Sequence, residues 1–230
     1  MKKLLTGLLL LSCITTASYA TTPEKAVSDT IDVLNYGLHI NLVHLSTKSL
    51  SGSATLEFTP RHNNVSQVKL DLLKLSVDSI YYENNPLTTF TYNDTILLIS
   101  LPSAIGLNDT VLLTVFYHGM PQTDASGWGG FYFSADSSFA YNLGVGFAAV
   151  PHNYGRVWFP CIDDFVDRAT YDCHITVKND KKAVCGGTLL SVVDNGNNSS
   201  TYHWRMHNTI PTYLASVAVG NYVAVNDTFH

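Results

Sequence analysis

The sequence has 230 residues, with 13 Lys and Arg against 18 Asp and Glu, and its 46% hydrophobic and 11% aromatic content excludes a disordered chain. Basic residues form no stripe or cluster, which argues against nucleic acid as a partner. The length suffices for one large or two small β domains with a real core, and no repeat or low-complexity linker divides the chain.

Residues 1–20 read as a secretory signal peptide. Lys2 and Lys3 precede an apolar run from Leu4 to Ile14, and Ala17-Ser18-Tyr19-Ala20 offers a cleavage site after Ala20. A rival reading takes Leu11-Ser12-Cys13 as a lipoprotein box with Cys13 acylated. Either leads to the expectation of an exported protein, periplasmic or extracellular, whose single domain covers residues 21–230. The apolar run is too short to span a bilayer. Beyond it remain Cys161, Cys173 and Cys185, so at most one disulfide can form among them, and their spacing rules out a C-x-x-C motif.

Pro23 to Leu34 is the best candidate for a helix. Strict alternation follows: Leu38, Ile40 and Leu42 against His39 and Asn41; Ala54, Leu56 and Phe58 against Thr55 and Glu57; Val68, Leu70 and Leu72 against Lys69 and Asp71. Turn residues interrupt at Asn84-Asn85-Pro86, Asn93-Asp94, Gly106 to Asp109, Asn179-Asp180 and Asp194-Asn195-Gly196. The expected fold is all-β, an antiparallel sandwich with little helix. Leu97 to Leu101, Val111 to Tyr117 and Tyr213 to Val225 are nearly continuously apolar and are expected to be covered on both faces. Between residues 119 and 156, Gly127, Gly129, Gly130, Gly144 and Gly146 sit among Trp128, Phe131, Tyr132, Tyr141 and Phe147. That mixture suits either a ligand-facing loop or tight turns in an aromatic core.

The densest chemistry lies at Arg156-Val157-Trp158-Phe159-Pro160-Cys161-Ile162-Asp163-Asp164-Phe165, ahead of Arg168-Ala169-Thr170-Tyr171. Adjacent carboxylates in extended chain point opposite ways, so Asp163 and Asp164 are poorly placed as a glycosidase pair. Neither G-x-S-x-G nor H-E-x-x-H occurs in the sequence, and His203 and His207 on a strand would stand roughly 13 Å apart, too far to share a metal. A structural role is expected instead: one Asp accepts backbone N–H groups at the turn after Pro160, and another pairs with Arg156 or Arg168.

The same segment carries a resemblance. Arg156, Phe159, Pro160, Cys161 and Asp163, with Arg168-Ala169-Thr170-Tyr171 in register, resemble the R-x-x-F-P-C-x-D-E-P then K/R-A-T-F motif of aminopeptidase-N-type zinc metallopeptidases. Asp164 stands in place of Glu and Phe165 in place of Pro. Leu38 to Leu42, Leu50 to Phe58 and Tyr213 to Gly220 are similar to strands of that family's N-terminal β domain. The resemblance implies a saddle-like, largely antiparallel domain, non-catalytic by itself, that packs on a catalytic domain of the same protein. In the family the zinc, the general base and the loop that captures the substrate amine belong to that second domain. No cofactor is therefore expected on this chain, and the partners implied are the catalytic domain and, for the whole protein, peptide N-termini. The family's N-terminal domain also lends one acidic or amide side chain to the substrate pocket. Ungapped register puts Pro151 there, so either His152 or Asn153 serves after a one-residue shift or the subsite is built differently. The alternative function is a free-standing module that binds glycans or proteins through its Gly and aromatic segment.

Overall fold

The computed structural model describes residues 30–225. The expected signal peptide with Cys13, and residues 23–29 of the expected helix, lie outside the described residues. In chain order the strands are β1 (Ile31–Asn41), β2 (Leu50–Pro60), β3 (Val65–Asp71), β4 (Ser76–Tyr82), β5 (Asn85–Leu87), β6 (Phe90–Tyr92), β7 (Ile96–Ile105), β8 (Val111–Gly119), β9 (Gly130–Phe133), β10 (Ala140–Leu143), β11 (Ala169–Lys178), β12 (Lys182–Cys185), β13 (Thr188–Asp194), β14 (Ser199–Ile210) and β15 (Val217–Gly220). Helical structure among the described residues is confined to three-residue turns at Leu45–Thr47, Gly155–Val157 and Thr212–Leu214.

The strands form an eight-stranded sheet in the order β13-β14-β11-β1-β2-β8-β4-β5, a four-stranded sheet β12-β15-β10-β9 and a three-stranded sheet β3-β7-β6. Every pairing is antiparallel except β1 with β11. A parallel pair needs a long crossover, and here the chain between the two strands builds most of the other strands before it returns. Leu38, Ile40, Leu56 and Ile175 of the large sheet, Val68, Leu70 and Ile99 of the three-stranded sheet, and Ala183 and Val219 of the four-stranded sheet bury their side chains in one continuous core. The outward partners His39 and Asn41 are exposed, as period-two alternation requires.

Three expectations need correction. Ile31 to Leu34 extend β1 rather than a helix, because Ile31 and Val33 pair with Pro60 and Phe58 and both enter the core. β8 is covered on one face only, with Leu113 and Val115 buried and Leu112 and Phe116 facing solvent, whereas on β7 Leu97 and Ile99 are buried and Ile96 and Leu98 half-buried. Phe116 packs edge-on against Tyr81 of β4, its neighbour along the same face, so an apolar run arises without a second covering layer. Tyr213 to Val225 supplies strand only at Val217–Gly220, after which Tyr222, Val223 and Val225 are exposed.

Candidate functional site

Residues 144–168 join β10 to β11, so the conspicuous motif lies in a corner between two sheets. Phe159 is fully buried and meets Tyr36 of β1 edge-on at 5.5 Å, while Trp158 packs on Phe159 at 4.6 Å. Tyr171 stacks on Tyr36 at 5.2 Å and meets Phe159 edge-on at 6.4 Å. Edge-to-face rings interlock directionally, so this cluster fixes both position and orientation of the corner. Pro160 is buried beside them. Past it, Cys161 forms a two-way backbone bridge with Asp71 at the end of β3, and the Ile162 N–H donates to the Tyr36 hydroxyl at 3.0 Å. The extended corner thereby keeps its backbone groups satisfied away from water.

Asp163 is the hub. Its Oδ1 accepts the Gly155 N–H at 3.2 Å and the Thr212 hydroxyl at 2.8 Å. Its Oδ2 accepts the Arg156 N–H at 3.3 Å and the Arg156 guanidinium at 3.0 Å. The guanidinium also donates to the Asn153 carbonyl at 2.9 Å and lies over the Tyr154 ring. Burial raises the Asp163 carboxyl, and the Thr212 hydroxyl, Arg156 and the two N–H groups oppose that rise. Sequence reading divided turn-fixing and Arg-pairing between two aspartates; the structure assigns both to Asp163. Asp164 instead accepts the Val166 N–H at 3.1 Å, and Arg168 is exposed. With four donors occupying its oxygens, Asp163 has little acceptor capacity left for proton transfer. Thr212 was missed because its partner lies 49 residues away and no local pattern links them.

Just upstream, the chain carrying the two candidate pocket residues folds back on the Gly and aromatic segment. Gly146 donates its N–H to the His152 carbonyl at 2.8 Å, and Tyr154 donates to the Gly144 carbonyl at 2.7 Å. Glycine is needed at 144 because a Cβ there would fall 1.9 Å from the Tyr213 carbonyl oxygen. His152 is exposed, with Nδ1 placed 3.0 Å from the Gly146 carbonyl oxygen. Asn153 is fully buried, and its side-chain amide donates to the Asp163 carbonyl. In this arrangement Asn153 has no surface to offer a ligand, and its role is inside the corner.

Beside Arg156 lies a recess of about 340 Å³ lined by residues including Leu73, Asp124, Ala148, Tyr154 and Arg156. The Ser126 hydroxyl above all, with the Ala148 and Ser126 N–H groups, holds the Asp124 carboxyl down to about 2. Asp124 thus pins the turn before β9 to the segment before His152. The two readings of the Gly and aromatic segment are both partly realised. Phe131 is buried, whereas Trp128 and Phe147 stack on each other at the surface, with centroids 6.0 Å apart. Phe147 is 65% and Val150 88% exposed, and Phe165 and Val166 on the other side of the corner are exposed too.

On the far face of the large sheet, His39, His174 and His203 occupy directly paired positions on β1, β11 and β14. Their rings stack at 4.3 and 3.9 Å with planes 3° and 19° apart. Parallel stacked imidazoles do not turn their nitrogens toward one point, and no group of three or more His, Cys, Asp or Glu among the described residues is arranged to hold a metal ion. The residues described therefore do not fit a zinc site, and no chemical step on this chain is assigned to zinc.

The fold and corner define an all-β domain with half-buried Arg156 paired to buried Asp163 between two sheets. The chain belongs to the peptidase M1 N-terminal domain family, whose model matches residues 33–214. It is similar to leucine aminopeptidase 2 of the yeast Vanderwaltozyma polyspora, 26% identical over 182 residues that cover 76% of this chain and 26% of that protein. It is also similar to transcription initiation factor TFIID subunit 2 of Drosophila melanogaster, 30% identical over 90 residues, 39% of this chain and 7% of that protein. Among solved structures, an M1 zinc metallopeptidase variant from Deinococcus radiodurans bound to a Tyr-Ser-Ala substrate superposes with a TM-score of 0.74 at 24% identity, covering 85% of this chain and 46% of that one. A two-domain M1 zinc metallopeptidase variant bound to L-tryptophan gives 0.75 with the same coverage. The chain spans about a quarter of the aminopeptidase and under half of these solved chains.

Proposed function

We propose that this chain is the non-catalytic N-terminal domain of an exported zinc aminopeptidase, docking on the zinc-bearing catalytic domain and walling the pocket that receives the peptide N-terminus. The observation that carries the reading is the rim of the corner. Phe147, Val150, Phe165 and Val166 expose apolar surface around a core-anchored scaffold, and such surface is what a packed neighbouring domain covers. His152 stands on that rim as the exposed member of the two pocket candidates, held by a two-way link to Gly146. An imidazole there can accept a hydrogen bond from a substrate ammonium when neutral.

Two measurements test this. Residues 21–230 alone are expected to show no zinc-dependent hydrolysis of aminoacyl chromogenic substrates; robust turnover would refute the reading. In the whole protein, His152→Ala is expected to raise KM for peptides by roughly 10-fold, the size of one lost hydrogen bond to a charged group, with a smaller change in kcat. Unchanged KM and kcat would remove His152 from the pocket and leave only the docking role.

A further inference from the structure

The arrangement of the sheets sorts the three cysteines that follow the leader. Cys161 is fully buried in the corner, bridged through its backbone to Asp71. Cys173 turns from β11 of the large sheet toward the core, and Cys185 ends β12 of the four-stranded sheet. These strands approach each other closely. The Trp204 indole N–H donates to the Ala183 carbonyl at 2.9 Å, fixing β14 and β12 together two residues before Cys185. Cys173 and Cys185 are free thiols in this structure that interact with each other, and both side chains are nearly covered. A narrow void lined by Tyr171, Cys173, Gly186 and Met206 lies on the Cys173 side.

We propose that Cys173 and Cys185 form a disulfide that cross-links the eight-stranded sheet to the four-stranded sheet, leaving Cys161 as a free thiol. Cysteines whose side chains meet from two independently anchored strands are candidates for a bridge, since pairs whose side chains point apart cannot close without backbone movement. The reaction removes two protons and two electrons from the thiols. A small-molecule or protein disulfide accepts the electrons and is reduced to two thiols, through a mixed disulfide with one of the cysteines. Contact with Cys173 and burial both push the Cys185 thiol up, so exchange is slow once the fold is closed. The cross-link rests on the proposed reading of an exported protein, in which oxidation takes place as the small sheet docks in an oxidising compartment. Its consequence is mechanical. The four-stranded sheet contains β9 and β10, which lie within the Gly and aromatic segment, so the cross-link ties that segment to the large sheet.

The test is refolding of the full reduced chain in a buffer of glutathione and glutathione disulfide, followed by alkylation under denaturing conditions and peptide mapping. Cys173 and Cys185 are expected in one cross-linked peptide, lighter by two hydrogens than its reduced parts, with Cys161 alkylated. Dithiothreitol should lower the unfolding temperature of this material and of the Cys161→Ser variant, and leave Cys173→Ser and Cys185→Ser unaffected. If a serine variant fails to fold, the map of the unaltered chain decides. Alkylation of both cysteines, separate glutathione adducts on each, or a cross-link that includes Cys161 overturns the proposal.

Discussion

His174 shows how a single side chain in this sheet acquires properties that its type does not dictate. Burial, with the neighbouring His39 and His203 rings, lowers its pKa from 6.5 to about 4. Between those values the unfolded chain binds a proton there and the folded chain does not. Its contribution to stability is thus complete above pH 6.5 and is lost as pH falls toward 4; His39, also lowered chiefly by burial, adds the same sign. Asp71 and Asp167 act oppositely. Burial raises both to about 6, so the folded chain holds protons that the unfolded chain has released, and acidification from pH 6 toward 3.8 favours the fold. The opposing groups partly cancel in the unaltered protein. His174→Thr should uncover the carboxylates: its unfolding temperature relative to the unaltered chain should be higher at pH 4.5 than at pH 7.5. An equal difference at both pH values would show that the ring does not titrate in this window.

At the scale of the element, the corner between β10 and β11 is stabilised by two separable devices. One is apolar: Phe159 contacts Tyr36, Trp158 and Tyr171 and is fully buried. Phe159→Ala should cost roughly 3–5 kcal/mol in chemical denaturation, and a loss under about 1 kcal/mol would show that the ring is not part of the core. The other is polar, centred on Asp163. A double-mutant cycle on Arg156→Ala and Asp163→Ala should give a coupling of about 1–3 kcal/mol, because each change strands the other partner in a site with little water. Additive effects would mean that the backbone N–H groups and Thr212, rather than Arg156, satisfy Asp163. A structural role for the motif is what spacing leads one to expect, since no nucleophile, metal-ligand set or acid pair fits it. Which aspartate did the pairing was not legible. Asp163 and Asp164 differ only in which way the chain turns after Pro160, and that turn is set by Asp71 on β3.

At the scale of the whole molecule, two sheets meet at the corner, and Phe147, Val150, Phe165 and Val166 of the chain that forms it expose apolar surface as the proposed rim. If that rim docks on a catalytic domain, limited proteolysis of the whole protein should spare the rim positions Phe147, Val150, Phe165 and Val166, which are exposed in this chain. Rapid cleavage beside them in the intact protein would place the docking surface elsewhere. The positions of His152 and Asn153 show why a site on the rim is hard to read in advance. Adjacent in sequence, one is exposed and the other wholly enclosed, and the choice is made by the strand-like pairing of Asn153 with Val145.

The sequence by itself determined the all-β class, the inward and outward faces of β1, β2 and β3, and the five turns. Period-two alternation and turn chemistry act between residues a few positions apart. It also gave the expectation that the segment from Arg156 to Asp164 is structural. Only the tertiary structure decided what depends on partners far along the chain. The parallel pairing of β1 with β11 is one such fact, and it sets three histidines in a single stack. The one-sided cover of β8, the convergence of Gly155, Arg156 and Thr212 on Asp163, and the meeting of Cys173 with Cys185 are others. Sheet order is set by which apolar faces can be buried together, and that depends on the sum over all strands rather than on any one of them.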